Sequence, residues 1–363
     1  MCLNHAIETT LDDDRAAAFA DDLVETLNRG ALALMISLGH RTGLFDAMAH
    51  GEPRSSGALA AEAGLDERYV REWLAAMTTG RVVEHDPRAQ TFRLPGAHAA
   101  SLVRAAGLGN MGVYAQYIPL LGAVEDDVVA CFRDGGGVPY ARYPRFHEVM
   151  AEDSGLTVLA SLFDHILPLV PGLAARLDQG LRVLDLGCGR GRALLALAAR
   201  YPHSTFTGYD LSPEAIAAAR NAAAGLANVS FEVRDLSDFD RSAEPAAYDL
   251  VTTFDAVHDQ ARPRALLAGI RRTLAPGGVY LMQDVHAASA VGDNLDHPLG
   301  TLLYTVSTMH CMTVSLAQGG EGLGTMWGRE QAEALLREAG FDRVEVHRLE
   351  HDIQNDYYVV RAD

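Results

Sequence analysis

The second half of the chain alternates short apolar runs with longer segments in which apolar residues recur at helical spacing. The apolar runs predict strands at 183–186, 206–210, 231–235, 248–254 and 279–284, followed by a final pair at 344–348 and 357–361. The segment 192–200, directly after the first of these strands, has the periodicity of a helix. Strands that alternate with helices indicate an α/β fold with a doubly wound parallel sheet.

Apolar residues also recur at helical spacing from 16 to 44, and Phe19, Leu23 and Leu27 lie on the resulting stripe. Gly30 and the pair Gly39-His40 predict a break into two helices. A lone small domain could hardly bury this stripe. We therefore expect it to contact a second copy of the chain and to make the protein a homodimer.

The segment 55–94 has the pattern of a winged helix. A helix at 56–64 stops at a glycine, Asp66 is placed to cap a second helix, and short strands are predicted at 81–84 and 91–94. A winged helix suggests either DNA binding or a dimerisation and substrate-covering role. Between 41 and 100 there are seven arginines and eight carboxylates. Because phosphate binding needs a basic excess, we expect no nucleic-acid partner.

Glycines stand at every second position after the strand at 183–186, at Gly187, Gly189 and Gly191. A glycine turn between a strand and a helix brings backbone N–H groups close to a ligand. A dinucleotide fingerprint would need a further glycine at 192, where Arg192 stands, so the spacing argues against a nicotinamide or flavin cofactor. Asp185, inside the strand, is costly to bury unless it is paired, and it suits a cationic ligand.

Carboxylates end the next three predicted strands, at Asp210, Asp235 and Asp255. In a βαβ nucleotide-binding unit the first of these accepts hydrogen bonds from ribose hydroxyls, and ligands bind at the carboxyl edge of the sheet. The predicted cofactor-binding residues are Asp185, Gly187, Cys188, Gly189, Gly191, Asp210, Leu211, Asp235, Leu236, Phe254 and Asp255, with Tyr143 from an earlier segment.

The motif Asp-Leu-Gly-Cys-Gly-Arg-Gly at 185–191, the pair Tyr209-Asp210 and Leu-Ala-Pro-Gly-Gly at 274–278 together resemble the class I S-adenosylmethionine-dependent methyltransferases. The resemblance covers 181–363. It implies a Rossmann-like seven-stranded sheet, with the last two strands antiparallel to each other, and S-adenosylmethionine as cofactor. A winged helix ahead of this fold resembles the small-molecule O-methyltransferases of secondary metabolism, in which it mediates dimerisation.

These features predict three parts of the chain. The first, 1–105, is a helical winged-helix dimerisation domain, and the second, 106–177, is a helical connector. The third, 178–363, is the cofactor-binding domain, with a lid insertion at 286–328. Aromatic residues of the connector either line the acceptor pocket or simply fill the interdomain core; on the first interpretation Phe146 and His147 contact the acceptor.

Within the insertion a helix is predicted at 302–316, and the glycine-rich run 318–324 after it indicates a hinge. Met309, His310 and Met312 lie on that helix and are candidates to contact the acceptor. Thioether and imidazole groups side by side also suggest a copper or zinc site. Adjacent helical residues do not face one point, so we predict no metal.

His258 lies four residues beyond the strand at 248–254. A neutral hydroxyl acceptor must lose its proton to be methylated, and histidine is the usual base, with an ordinary pKa near ~6.5. The position matches the catalytic histidine of plant-type O-methyltransferases, which have His-Asp-Trp where this chain has Gln260 in the third place. Asp284 or Glu321 would orient the ring. The alternative role of His258 is to hold the loop at a helix start.

The predicted function is therefore transfer of a methyl group to a small-molecule acceptor, as O-methylation of a hydroxyl. The alternatives are N-methylation and a cofactor-responsive DNA-binding regulator. The formal net charge of −18 again argues against nucleic acid. Four scattered cysteines, Cys2, Cys131, Cys188 and Cys311, form no C-x-x-C pair, and no apolar run is long enough to span a membrane. We expect a soluble cytoplasmic protein without a membrane partner.

Overall fold

A computed structural model describes residues 13–361. Cys2 and the start of the predicted domain 1–105 lie outside the described part. The chain divides into two compact units, and the boundary in the sequence lies between Pro119 and Leu120. That boundary falls within the segment 106–177, which was predicted to be one connector. Each unit is considered separately below.

The first unit is helical with a small antiparallel β-hairpin. Its elements are α1 (Asp13–Thr42), α2 (Leu44–Ala47), α3 (Ser56–Ala63), α4 (Glu67–Thr79), β1 (Glu84–Asp86), β2 (Thr91–Arg93), α5 (Gly96–Ala99), and the 3₁₀ segments Arg104–Gly109 and Met111–Gln116. Asp66 caps α4, its carboxylate accepting hydrogen bonds from the N–H groups of Arg68 and Tyr69, as predicted. The first hairpin strand begins at Glu84 rather than at 81, because Arg81 has φ 57° in the turn after α4.

The predicted break in the N-terminal helix is wrong, because α1 continues from Asp13 to Thr42. A Cβ added at Gly30 would meet nothing within 4 Å, and a helix tolerates such a glycine at a cost of about 1 kcal/mol. A Cβ at Gly39 would lie 2.5 Å from Cζ2 of Trp73 and 2.7 Å from Cε2 of Phe45. Gly39 therefore permits close packing of α1 against its neighbours and does not end the helix.

A short helix, α6 (Tyr117–Gly122), spans the boundary between the units. The helical elements of the second unit before its sheet are α7 (Glu125–Asp134), Tyr140–Arg142, α8 (Phe146–Thr157), Leu159–Ser161, the π-helical segment Leu162–Ile166, Leu167–Leu169 and α9 (Leu173–Gln179). The sheet and its helices are β3 (Arg182–Leu186), α10 (Arg192–Arg200), β4 (Thr205–Asp210), α11 (Pro213–Ala222), β5 (Val229–Val233), α12 (Phe239–Ser242), β6 (Tyr248–Phe254), α13 (Pro263–Thr273) and β7 (Leu274–Val285).

After β7 come the 3₁₀ segment Val291–Asn294, α14 (Gly300–Val306), the π-helical segment Ser307–Cys311, α15 (Met312–Ala317), α16 (Arg329–Glu338), β8 (Arg343–His347) and β9 (Asn355–Arg361). The seven strands have the order β5-β4-β3-β6-β7-β9-β8. The first five are parallel, and β9 is antiparallel to both β7 and β8, so the predicted doubly wound sheet and its antiparallel end are confirmed.

Apolar cores cover both faces of the sheet. Met282 and Tyr358 belong to the core on one face, and Leu281 and Val359 belong to the core on the other. Side chains alternate between faces along each strand, so buried strands read as continuous apolar runs. Within residues 13–361 no single helix is long and apolar enough to be a membrane span; Phe146–Leu169 and Leu173–Gln179 meet that criterion only jointly and are bent by 102°.

Candidate active site

The glycine turn after β3 has three glycines in the left-handed region, with φ of 72° at Gly187, 53° at Gly189 and 68° at Gly191. A Cβ at Gly187 would lie 2.5 Å from Cβ of Ala256, and one at Gly191 would lie 2.5 Å from Cζ of Phe231. A Cβ at Gly189 would meet nothing within 4 Å. Internal packing therefore requires glycine at the outer two positions, whereas Gly189 borders open space that a ligand could fill.

Asp210, at the end of β4, braces this turn. Its Oδ2 accepts a hydrogen bond from the N–H of Gly189 at 2.8 Å, and its Oδ1 accepts one from the N–H of Ser212 at 2.8 Å. Each carboxylate oxygen keeps a further lone pair. The arrangement places the carboxylate of Asp210 beside Gly189, with lone pairs left to accept further hydrogen bonds.

Two carboxyl groups lie at the same edge of the sheet, with Asp185 buried and Asp255 partly exposed. Asp185 accepts a hydrogen bond from Oγ1 of Thr252 at 2.7 Å, and burial raises the pKa of Asp185 to about 7. Burial also raises the pKa of Asp255 to about 7, with Asp284 adding to that shift and His258 opposing it. Asp255 has φ 55°, and its Oδ1 has no hydrogen-bond partner among the described residues. Both groups would gain from a bound cation.

Not every predicted cofactor residue faces this edge. β5 ends at Val233, so Asp235 lies beyond the strand, where it is exposed and accepts a hydrogen bond from the N–H of Ser237 at 2.8 Å. Leu236 is buried in an apolar core, Phe254 packs against the core on the other face, and Leu211 is exposed. These four positions lie at strand ends or just beyond them in the chain, but only the backbone path decides which side chains turn towards the site.

His258 is buried and paired with a carboxylate. Its Nδ1 lies 2.8 Å from Oδ1 of Asp284 and 3.7 Å from Oδ1 of Asp255. Glu321, the other predicted orienting carboxylate, instead contacts Arg264 at 3.1 Å. Burial alone lowers the pKa of His258, but attraction to Asp284 and contact with Cys311 outweigh it, so the pKa is raised well above its ordinary value. The expected pKa near 6.5 therefore needs correction upwards.

Asp284 accepts three hydrogen bonds on one oxygen. The donors to Oδ1 are Nδ1 of His258, the N–H of Val285 at 2.9 Å and Nε1 of Trp327 at 3.0 Å. Ligand atoms of Asp255, His258 and Asp284 lie within 4.8 Å of one another and could in principle hold a metal ion. The three donors occupy Oδ1 of Asp284 and orient the imidazole, whereas Oδ2 of Asp284 and Oδ1 of Asp255 have no hydrogen-bond partner among the described residues. The absence of a metal stays a prediction.

Aromatic rings form a wall in this unit. His310 stacks on Phe146 with ring centroids 3.8 Å apart, and Tyr143 meets His310 edge-on at 4.6 Å. The hydroxyl of Tyr143 donates to the carbonyl of Met309 at 2.5 Å, and the hydroxyl of Tyr140 donates to Oδ2 of Asp259. Two connector elements and the inserted helix therefore meet here, an arrangement that fits both interpretations of the connector aromatics.

The remaining predicted acceptor residues divide. His147 stacks on Tyr140 with centroids 6.1 Å apart, whereas Met312 faces the insertion's own tail, 3.2 Å from a Cβ placed at Gly324. Burial lowers the pKa of His310 well below its ordinary value, so the ring is neutral, and its Nε2 has no partner in the described part of the chain. Met309 and His310 thus join the aromatic wall and Met312 does not.

Tyr140, Asp259, Cys311 and Trp327 were not among the predicted site residues. Asp259 follows His258 directly in the chain, but its carboxylate turns towards Tyr140. This chain has Gln260 where the plant-type motif has a tryptophan. An indole nevertheless reaches the site from Trp327. The sequence carried no periodic or motif signal that would relate 327 to 284.

Residues 30–104 match the family described as Rv2258c-like winged HTH domain, and 177–349 match the family described as Methyltransferase domain. Trans-aconitate 2-methyltransferase of Methylobacterium nodulans is 31% identical over 44% of this chain and 57% of its own length. The enzyme of the same name from Acidovorax sp. is 30% identical over 54% of this chain and 68% of its own length. The chain thus spans little more than half of the first of these relatives.

Among solved structures, human N-acetylserotonin methyltransferase in complex with S-adenosylmethionine superposes with a TM-score of 0.67. The two chains are 18% identical, and the match covers 97% of this chain and 99% of the human one. At this identity the likeness shows a shared fold over both units.

Proposed function

Because the chain belongs to the S-adenosylmethionine-dependent methyltransferases with an N-terminal winged HTH domain, we propose that it methylates a hydroxyl group of an aromatic small molecule. The predicted family, enzyme class and methyl donor are confirmed. The observation that carries the choice of acceptor is the buried pair of His258 and Asp284 beside an aromatic wall.

The residues at the carboxyl edge fit the cofactor. Gly189 leaves open space, Asp210 offers free lone pairs beside it, and Oδ1 of Asp255, which has no hydrogen bond within residues 13–361, suits a cationic group. When bound, S-adenosylmethionine supplies an electrophilic methyl group on a positively charged sulfur. Burial makes ionisation of Asp185 and Asp255 unfavourable on its own, so a bound cation would lower their pKa values and be balanced by the carboxylates that form.

His258 acts as the general base in this proposal. Asp284 holds Nδ1–H, so Nε2 is the nitrogen to take the proton of the acceptor hydroxyl, on a ring that also hydrogen-bonds Cys311. The raised pKa of His258 means that the ring is cationic at neutral pH in the unliganded protein. A cation bound nearby lowers that pKa again, which prepares the ring to accept a proton when the methyl donor is present.

Two arginines of the glycine turn each have a partner. Arg190 pairs with Glu214 at 2.6 Å, and Arg192 donates to the carbonyl of Ala151. A guanidinium has five N–H donors, and Nε of Arg190 has no hydrogen-bond partner among the described residues, so these contacts leave donors for an anionic acceptor. Methylation of a carboxyl group is the second candidate, because the name of the relatives points to trans-aconitate, which is an acid.

The charges of the winged helix support a role without nucleic acid. On α4, Arg68 pairs with Glu72 at 2.5 Å and Arg71 with Glu67 at 3.6 Å, which neutralises the two arginines of the presumptive recognition helix.

The homodimer is supported by α1, where Phe19 is 65% and Leu27 is 74% exposed on one helix. Large apolar side chains exposed together on one helix commonly mark a protein interface. We also place the protein in the cytoplasm, because Cys131, Cys188 and Cys311 are free thiols.

The test is turnover of S-adenosylmethionine with a panel of phenols and catechols, with S-adenosylhomocysteine and the methylated product followed by mass spectrometry. His258→Ala should lower the rate by roughly 10²–10⁴-fold and leave cofactor affinity nearly unchanged, because the base acts on the acceptor. His286→Ala is the matched control, since His286 pairs with Asp356 at 2.9 Å but is outside the proposed base pair. A loss below about tenfold in His258→Ala would point to an acceptor that needs no base.

A further inference from the structure

The tail of the insertion is bound to the loop that carries the base. We call residues 257–261 the base loop and 315–327 the clamp. The N–H of Gly324 donates to the carbonyl of His258 at 3.1 Å, and the N–H of Glu321 donates to the carbonyl of Ala261 at 3.0 Å. A Cβ at Gly320 would lie 2.6 Å from Cα of Ala261. Glycine is therefore needed there for a close approach between two backbones.

Ser315 adds a side-chain link between the two segments. Its hydroxyl donates to the carbonyl of Gln260 at 2.8 Å and accepts from the N–H of Gly322 at 3.1 Å. Ser315 is completely buried, so both bonds are shielded from water. The glycine-rich run 318–324, predicted to be a hinge, is thus hydrogen-bonded to the base loop through Glu321 and Gly324.

Trp327 ends the clamp and contacts the other half of the base pair. Its Nε1 donates to Oδ1 of Asp284 at 3.0 Å, and its own carbonyl accepts from Oγ of Ser289 at 2.8 Å. The indole ring is buried in the apolar core of the sheet. The clamp therefore holds His258 through its backbone and Asp284 through an indole N–H.

We propose that Trp327 is a positioning residue for the base, and that the clamp sets the orientation of His258 and Asp284 together. This inference rests on the proposed role of His258. The indole N–H fixes the carboxylate and partly screens its charge. Without it the carboxylate can rotate and its full charge faces the ring, so His258 is held less firmly and keeps its proton to higher pH. The titratable groups that face the ring are Asp255, Asp259, Asp284, His310 and Cys311.

Trp327→Phe tests the proposal, because it keeps an aromatic ring and removes the N–H group together with the five-membered part of the indole, a loss of volume that the control below shares. Trp73→Phe is a matched control, since Trp73 is also buried and its Nε1 donates to the carbonyl of Met35 at 2.8 Å in the first unit. With the phenol turned over fastest in the screen above, Trp327→Phe should lower kcat by about tenfold with little change in KM. The rise of its rate with pH should shift to higher pH. Trp73→Phe should leave kcat and this pH dependence unchanged.

A second readout needs no acceptor. The chain has two tryptophans, so Trp73→Phe leaves Trp327 as the only indole fluorophore. Its emission should titrate with pH as His258 ionises, and the added change His258→Gln should abolish that titration. If the titration persists without His258, or if Trp327→Phe keeps the wild-type pH–rate limb, the proposal is overturned. If the titration depends on His258 but His258→Ala still turns over normally, the clamp is upheld and the assignment of the base fails.

Discussion

Gly189→Ala should separate cofactor binding from folding. The φ of 53° at Gly189 lies in the left-handed region, where an L-residue costs about 1–2 kcal/mol, and the added methyl group meets no protein atom within 4 Å. The free energy of unfolding should therefore fall by only about that amount. The methyl group occupies the space proposed for the cofactor, so affinity for S-adenosylhomocysteine should fall at least tenfold, about 1.4 kcal/mol.

Gly191→Ala provides the contrast two residues away. Its φ of 68° carries the same backbone cost, but the new Cβ would lie 2.5 Å from Cζ of Phe231 and 3.2 Å from Cβ of Ala219. Both neighbours belong to a buried core, so overpacking should cost about 1–3 kcal/mol more. The main effect at 191 should therefore appear in stability.

The assay combines calorimetry with S-adenosylhomocysteine and denaturant unfolding of each variant. Gly225→Ala is the control for backbone strain, because Gly225 has φ 93° and a Cβ there would meet nothing within 4 Å. It should lose stability comparable to that lost by Gly189→Ala and keep full affinity. Unchanged affinity in Gly189→Ala would refute the placement of the cofactor on this turn, and Gly189→Val should then bind as well.

Three further predictions follow from individual side chains. Asp210→Ala should weaken binding of the cofactor by about 1.5–3 kcal/mol, measured by calorimetry, and undiminished affinity would remove Asp210 from the site. The pKa of Asp255 is raised to about 7 from 3.8, so the folded state binds this proton more tightly than the unfolded state, and the resulting stability is lost as pH rises from about 4 to about 7. Asp255→Asn should flatten the fall in unfolding free energy over that range, and a slope equal to wild type would show that Asp255 is already ionised. Light scattering at micromolar concentration should give a dimer mass for the wild type and a monomer mass for Leu27→Asp, whereas a wild-type monomer would contradict the role of α1.

Structural features that depend on residues close together in the sequence could be predicted from the sequence alone. The apolar runs at 183–186 and 248–254 identified buried strands, because a strand covered on both faces has no polar face to show. Asp66 could be assigned as a cap, because its carboxylate serves N–H groups two and three residues away. The glycine turn and the strand-end acids were recognisable for the same reason, and they identified the family and its cofactor.

What depended on distant parts of the chain was decided only by the tertiary structure. Gly39 looked like a helix break, but it faces Trp73 and Phe45, which no local pattern could place against it. Gly189 and Gly191 are equivalent in the sequence, and only the position of Phe231 makes one a packing requirement and leaves the other beside open space. The pKa of His258 and the bond from Trp327 to Asp284 likewise arise where buried side chains from separate strands and loops meet, because burial and the attraction between charges depend on distances in space and not on spacing along the chain.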